Sequence, residues 1–447
     1  MSSNSFDTIV IGSGTSAYYC INALNQAGQK VAVVDERPYG GTCALRGCQP
    51  KKYLVANAEA RAMAKHLDGL GLSNTPQTDW SALQELKNAF TDGIPEGEVE
   101  EFEKAGIKTF HGRATLSGPN SVTLAGQNLE AKNIVLATGA SPRKTNIPGS
   151  EHANDSEYFL NMADLPKRIL FVGGGYISFE FAHVAVQAGA EVTILHRSGQ
   201  PLKAFDADIV QTVLAASNAA GINIVLNDSP IRIDKDDFNY IVSAKSGKTY
   251  ETDLIIEASG RLPNLSVLEG DLGRVEFSTR GVEVNEFLQS VSNANVYAIG
   301  DCAATPYQLA TVADEEGKVA AANILNHNSR TTNLDIVPTS VFTIPSMAAV
   351  GLTEKQASDQ GVDFRVNSGT TKGWPSSKRI GETHSAFKVL IHNKDNSIIG
   401  AHLARHNASE VINIFALAMK HGIKAAELAE FPWAYPTYSS DLKYMVK

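Results

Sequence analysis

Two stretches of this chain carry the same arrangement: an apolar run, a glycine-rich turn, an amphipathic helix and a second apolar run. The first runs from Phe6-Asp7-Thr8-Ile9-Val10-Ile11 through Gly12-Ser13-Gly14-Thr15-Ser16-Ala17 and a helix to about Gly28, then Val31-Ala32-Val33-Val34, ending at Asp35. The second runs from Arg168-Ile169-Leu170-Phe171-Val172 through Gly173-Gly174-Gly175-Tyr176-Ile177-Ser178 and a helix to Gln187, then Glu191-Val192-Thr193-Ile194-Leu195. A buried strand that feeds a helix through such a turn is a dinucleotide-binding unit. The first glycine makes the turn, the second lets the backbone approach a pyrophosphate, and a small third residue keeps helix and strand close. Gly12, Gly14 and Ala17 take these places in the first copy. Gly173, Gly175 and Ser178 take them in the second. Two copies in one chain of 447 residues predict an α/β protein with two Rossmann-like domains.

The two copies differ where the second strand ends. Asp35 can hold ribose hydroxyls in the first. The second ends in His196-Arg197, with Lys203 shortly after. An acid there would select the ribose diol of NADH, whereas Arg197 and Lys203 would attract a 2′-phosphate, which favours NADPH. The alternative is that both are solvated surface cations and NADH is used.

Between and after these units other stretches are informative. Ile134-Val135-Leu136 leads into Ala137-Thr138-Gly139, small residues that suit a strand end pressed against a bound nucleotide. Ser141-Pro142 and Ile147-Pro148-Gly149 mark a linker, so a boundary is expected near residue 150. Gly260-Arg261-Leu262-Pro263-Asn264 returns the chain toward the first domain. Val296-Tyr297-Ala298-Ile299 ends in Gly300-Asp301, whose carboxylate can reach a ribityl or ribose hydroxyl. Helical patterns are expected over about Thr42–His66, Asp79–Ala105 and Gln308–Asn326. From Pro338 onward, strand-like runs over Val341–Ile344, Phe387–Ile391 and Ile398–Leu403 and a helix over Ser409–His421 predict an α+β domain with no glycine turn of its own. It is expected to pack against a second subunit.

The net charge of −9 argues against nucleic acid or an anionic membrane as partner. The chain has no apolar run of about 18 residues, so no membrane span is expected. The first strand begins by about Phe6, which leaves no room for a signal peptide and implies a cytoplasmic protein. In a reducing compartment, four cysteines are not a secreted disulfide scaffold.

Two of those cysteines lie in Gly40-Gly41-Thr42-Cys43-Ala44-Leu45-Arg46-Gly47-Cys48-Gln49-Pro50-Lys51-Lys52, just after the first unit. Positions five apart are rotated well off one face of a helix, so the pair closes only where the backbone is distorted. A helix N-terminus lowers a thiol pKa from about 8.5 toward roughly 3.5–7.5. The placement suits a disulfide that opens and closes, against the plainer alternative of two buried, inert cysteines. No second cysteine pair or nearby histidine completes a metal ligand set. His402 and His406 have helical metal spacing but fall in a strand-to-loop stretch, so no metal site is expected. Cys20 and Cys302 read as buried and inert, and Trp374 as core or interface packing rather than the wall of a substrate channel.

In combination and order, these motifs resemble the FAD-dependent pyridine nucleotide–disulfide oxidoreductases, the family of glutathione reductase, dihydrolipoamide dehydrogenase and mercuric reductase. The resemblance rests on both glycine turns, Gly40-Gly41-Thr42-Cys43 with Cys48, Ala137-Thr138-Gly139, Gly260-Arg261 with Pro263-Asn264, Gly300-Asp301 and the C-terminal domain, and covers nearly the whole chain. It implies an FAD-binding domain from residues 1–150 and 264–337, an NAD(P)H-binding domain from 151–263 and a dimerisation domain from 338–447. It also implies a homodimer with shared active sites. By motif, Cys48 is the thiolate against the flavin and Cys43 the thiol that attacks substrate. Lys51 and Glu180 match an ion pair beside the flavin, and Tyr176 an aromatic lid over the nicotinamide pocket. Electrons are then expected to pass from NADPH to FAD, to Cys43 and Cys48, and on to a small disulfide or thiol-reactive oxidant.

One departure stands out. The family's disulfide reductases carry His-Pro-Thr near the C-terminus, with an acid five residues after the histidine. Here Tyr435-Pro436-Thr437 and Ser440 fill those places, with Asp441 one residue further on, where the shift is expected to point it elsewhere. A histidine of pKa about 6.5 takes a thiol proton at neutral pH, whereas a tyrosine of pKa about 10 is ionised in only about one molecule per thousand. Tyrosine at this place is similar to mercuric reductases, but the chain ends in Met445-Val446-Lys447 without their terminal cysteine pair. It also lacks their N-terminal metal-binding domain. A metal-ion reductase and a flavoprotein that binds partners without turnover are the alternative functions.

Overall fold

The computed structural model describes residues 4–270 and 272–447, which divide into two compact units. The first comprises the chain up to Lys52, Glu85–Arg143 and Arg261–Leu334. The second comprises Tyr53–Gln84, Lys144–Gly260 and Asp335–Lys447.

The first unit is built on a seven-stranded sheet. Lys108–His111, Val31–Asp35, Ser5–Ile11 and Gln127–Leu136 run parallel in that order. The last of these strands serves two neighbours on its far edge. Its first half pairs antiparallel with Ser121–Leu124, and its end pairs parallel with Val296–Ala298. Both faces of the parallel part are covered, as continuous apolar strands require. Ile9, Ile11, Ala32 and Val34 enter one core, while Val10, Val33 and Val135 enter the other with Ala17, Ile21 and Leu24 of the helix Thr15–Gln26.

The glycine turns are fixed by steric exclusion. Gly12 has φ +112°, and a Cβ on it would lie 2.2 Å from the carbonyl oxygen of Ala137. Gly173 repeats this, with φ +124° and a Cβ 2.3 Å from the oxygen of Ala258. In each case the turn passes directly over the end of a neighbouring strand, where only a bare backbone fits.

The second unit holds three sheets. Ile222–Leu226, Glu191–His196, Arg168–Val172 and Leu254–Glu257 form a parallel sheet, and Pro230–Lys235, Tyr240–Ala244 and Thr249–Thr252 an antiparallel one. The third is antiparallel, in the order Thr339–Val341, Met347–Gly351, Ile398–Ala404, Ala386–His392 and Phe364–Thr370, with the helix Ala408–Lys420 packed on it. A core of Phe159, Phe171, Phe179 and Phe181 underlies the parallel sheet, with the Phe159 and Phe181 rings stacked at 4.4 Å. Trp374 packs on the third sheet against Phe387 and Tyr444, as core packing requires.

Three expected elements differ. The pattern over Thr42–His66 is two helices, Gly41–Leu45 and Cys48–His66, broken where Arg46 adopts φ −140°. The pattern over Asp79–Ala105 is also two, Trp80–Thr91 and Ile94–Lys104, because Asp92-Gly93 ends the first and Pro95 starts the second. The strand expected over Val341–Ile344 is Thr339–Val341 instead, since Pro345 draws the preceding residues out of the ladder. No helix among the described residues is long and apolar enough to cross a membrane.

Lys388 is the charged centre of the second unit. It is 3% exposed, and its ammonium lies 2.9 Å from Asp206, 2.6 Å from Asp208 and 2.7 Å from Glu354. Burial alone would drive the lysine neutral. Hydrogen bonds to Asp208, Glu354 and Asp206 outweigh it and hold Lys388 protonated, above the usual lysine range. Asp206 also caps the helix Ala207–Ala220 through the N–H of Asp208, so one cation ties this helix to the third sheet.

Two outcomes follow. Gly12→Ala is expected to destabilise the protein by more than ~1 kcal/mol, because the strained φ and the clash act together; an unchanged urea midpoint would contradict it. Lys388→Met leaves Asp206 buried without its partner and is expected to cost about 3–5 kcal/mol, read as a lowered denaturation midpoint.

Candidate active site

The first glycine turn and the cysteine segment meet through backbone alone. Gly41 has φ +67°, and a Cβ on it would lie 2.3 Å from the Cα of Gly14. Asp35 holds the two together. Its Oδ2 accepts from the Ser13 N–H and the Ser13 hydroxyl, both at 2.8 Å, and its Oδ1 accepts from Arg37 N–H at 2.8 Å. The Ser13 oxygen in turn accepts from Gly40 N–H at 3.2 Å. Ser13 is a positioning residue that the motif reading passed over, because the fingerprint leaves its place open.

The break at Arg46-Gly47 brings the cysteines together. Cys43 lies on the short helix and Cys48 opens the long one. A hydrogen bond between the Cys43 and Cys48 sulfurs pushes the Cys43 pKa well above the usual thiol range. Burial and the charges of Cys48 and Asp314 act in the same direction, while Lys51 acts against them. Thr42 is half-buried beside the pair, and Lys51 is buried one turn along the long helix. Asp314, on the helix Ala310–Asn326, also accepts from the Thr15 hydroxyl, so a carboxylate lies near Cys43 that no sequence spacing suggested. Cys20 and Cys302 are fully buried, and burial pushes the Cys20 thiol up to about 12.

The remaining first-unit residues converge on the same strand ends. Thr138 Oγ1 donates to the oxygen of Asn264 at 2.6 Å, and Asn264 returns bonds to Thr138 and Gly139 oxygens at 2.9 Å. Arg261 donates to the Ala140 oxygen, and its charge opposes the burial that raises the Asp301 pKa. Gly300 N–H donates at 2.7 Å to Glu316, a fully buried carboxyl that burial pushes up to about 7. Asn264 and Glu316 thus fix the Ala137-Thr138-Gly139 and Gly300-Asp301 segments, and neither role showed in the spacing. Gly139, at φ +67°, backs onto open space that a Cβ would enter, and Gly14 has only Gly41 near it, so the residues present fit a bound dinucleotide.

In the second unit Gly175 also faces open space at the start of the helix Tyr176–Ala188, with Tyr176 exposed and Ile177 half-buried beside it. Gly174 packs against the His196 ring, where an added Cβ would come within 2.5 Å. Arg197 and Lys203 are exposed, and both carry charge close to His196. Burial, with these two charges, holds His196 below the usual histidine range. Gly260, at φ +135°, is exposed at the end of this unit's middle segment. Glu180 is 1% exposed and accepts from Phe342 N–H at 2.9 Å.

At the C-terminal end Tyr435 is 73% exposed. Asp441 is buried and accepts from Arg405 and from Ser376, both at 2.6 Å. His402 is buried in its strand and bonds the Leu352 oxygen at 2.9 Å. Among the described residues no group of three or more His, Cys, Asp or Glu could hold a metal ion.

Comparison with known proteins agrees with this construction. Residues 6–317 match the pyridine nucleotide-disulphide oxidoreductase family, and 337–446 match the dimerisation domain of the same family. Mercuric reductase of Staphylococcus aureus is 31% identical over 98% of this chain and 81% of its own length. Glutathione reductase of Burkholderia cepacia is 28% identical over 98% and 97%. The HOCl-induced flavoprotein disulfide reductase RclA from Escherichia coli superposes with a TM-score of 0.88 at 26% identity, covering 98% of this chain and 99% of that one. Paired thiols at a glycine turn, two dinucleotide units and a C-terminal dimerisation domain place the chain in the pyridine nucleotide-disulphide oxidoreductase family, as a flavoprotein disulfide oxidoreductase of the kind that uses FAD and NAD(P)H.

Proposed function

We propose that this enzyme is a homodimer that uses NADPH to reduce a small disulfide or a related thiol-reactive oxidant through Cys43 and Cys48. The observation that carries this reading is the thiol–thiol hydrogen bond held where Gly41 packs on the dinucleotide turn. Bound FAD supplies the two-electron relay between the nicotinamide and the cysteine pair. Gly12, Gly14, Ala17, Asp35, Lys51, Thr138 and Asp301 would hold it.

The cysteines divide the work by their surroundings. The hydrogen bond with Cys48, together with burial, keeps Cys43 protonated in the reduced pair. Cys43, once deprotonated, attacks one sulfur of the acceptor disulfide and expels the first thiolate. Cys48 then attacks the Cys43 sulfur, which releases the second thiol and restores the Cys43–Cys48 disulfide. Two electrons leave the dithiol and two are gained by the acceptor. Tyr435, exposed on the dimerisation domain, would serve the partner's cysteine pair. A phenol is a donor at neutral pH, so it would protonate the departing thiolate rather than take the Cys43 proton. The Arg197–Lys203 patch near His196 supports a 2′-phosphate, hence NADPH.

A second reading is reduction of a thiophilic metal ion. Tyr435 replaces the histidine, the S. aureus relative is a mercuric reductase, and RclA has been solved as a Cu(II) complex at a TM-score of 0.89. Anaerobic NADPH titration followed by a panel of disulfides, Hg(II) and Cu(II) separates the two. NADPH consumption driven only by the metals would overturn the disulfide assignment.

Two expectations are specific. Cys43→Ser retains a long-wavelength thiolate–flavin absorbance that Cys48→Ser lacks, and both lose disulfide turnover by at least about a hundredfold. Arg197→Ala with Lys203→Ala raises the KM for NADPH about tenfold or more while leaving that for NADH within twofold, since only the phosphate contacts are lost; equal changes for both nucleotides would reject the 2′-phosphate assignment.

A further inference from the structure

The acid that should orient the C-terminal base is absent, and Asp441 faces inward. Its surroundings give it a different task. Arg405 follows the strand Ile398–Ala404 and is fully buried. Its backbone is pinned on both sides by Ser346, N–H to the Ser346 oxygen and carbonyl from the Ser346 hydroxyl, each at 3.0 Å. Its guanidinium donates to Asp441 at 2.6 Å and to the Ser376 hydroxyl at 3.0 Å, and that hydroxyl donates to the same carboxylate oxygen at 2.6 Å. The guanidinium carbon lies 5.4 Å from the Tyr438 ring and 5.8 Å from that of Trp374.

From this anchor a tight loop runs back to Tyr435. Ser440 Oγ donates to the Thr437 oxygen at 2.6 Å, Ser440 N–H to the Thr437 hydroxyl at 3.1 Å, and that hydroxyl to the Ala434 oxygen at 2.7 Å. Arg379 lies 4.8 Å from the Tyr438 ring and donates to the Pro436 oxygen at 3.4 Å. Ser440 and Asp441 of this loop are buried, while Tyr435 is 73% exposed. A buried ion pair is a poor way to gain stability, since apolar residues of like volume serve as well or better. It is a good way to specify one geometry, because neither charge tolerates a shifted partner.

We propose that Asp441, locked to Arg405, is a positioning residue that sets where the Tyr435 hydroxyl stands during turnover. The missing acid is thereby replaced in function: the carboxylate no longer polarises the acid–base group but fixes the loop that presents it. This rests on the reading of Tyr435 as a group that serves the cysteine pair.

The test uses the purified holoenzyme with NADPH and bis(2-hydroxyethyl) disulfide, whose alkyl thiolate needs a proton as it leaves. Asp441→Asn keeps the shape but removes the charge, and the double variant Arg405→Met/Asp441→Leu refills the site with apolar groups. Both are expected to lower kcat for the disulfide about tenfold, as a displaced catalytic group does. The rate of flavin reduction by NADPH in stopped flow and the KM for NADPH should stay within twofold. In a Tyr435→Phe background, Asp441→Asn should add less than a twofold further loss. If the double variant melts at the wild-type temperature and also turns over at the wild-type rate, the pair is structural and the proposal is wrong. Losses that multiply in the Tyr435→Phe background would also reject it. Wild-type turnover in Tyr435→Phe alone would instead remove the Tyr435 reading, and the positioning role with it.

Discussion

The contact on which the active site depends is one between two backbones with no side chains between them. Gly14 and Gly41 touch at a distance that excludes a single methyl group, and Gly12 crosses the Ala137 carbonyl on the same terms. These approaches bring the dinucleotide turn, the cysteine segment and the end of the strand Gln127–Leu136 to one place in the first unit. Asp35 then locks the arrangement through Ser13 and Gly40. A redox pair must lie within electron-transfer contact of its cofactor, so sub-ångström placement matters more here than added stability. Bare glycine backbone is the shortest connection that chemistry allows.

The second unit solves a different problem with a different interaction. It has two deeply buried cations, Lys388 and Arg405, each paired with carboxylate from a distant part of the chain: Lys388 with three, Arg405 with Asp441. Removing one partner of such a group costs about 3–5 kcal/mol, which is a large share of the ~5–15 kcal/mol that holds a domain folded. Lys388 joins the cap of the helix Ala207–Ala220 to the strand Ala386–His392. Arg405 joins the end of the next strand to the C-terminal loop. Apolar packing tolerates sliding, whereas these charges fix register.

Much of the architecture was legible in the sequence because its determinants are local. A glycine that must adopt a positive φ, an apolar run that must be a buried strand and an acid at its end lie within a few tens of residues. Periodicity reports them directly. The helix break at Arg46-Gly47 was less legible, since Ala44, Leu45 and Arg46 are good helix formers and the glycine was the single warning. Glu316, Asp314 and the bonding role of Asn264 could not be read, because each acts on a backbone or a charge that sequence separation hides. The bond from Gly300 to Glu316 spans a turn and a helix, and that between Thr138 and Asn264 spans a whole intervening domain. For Asp441 the sequence did not indicate that Arg405 receives it.

By itself, the sequence determined the family of chemistry. The residues that carry it must be of one type at one spacing: glycine where no Cβ fits, cysteine where electrons are stored, cation where a phosphate is read. Tertiary structure alone decided that the two cysteine sulfurs meet, which carboxylates are buried and that Arg405 receives Asp441. Those properties depend on through-space distance and on exclusion of water, and neither is written in the order of residues along a chain.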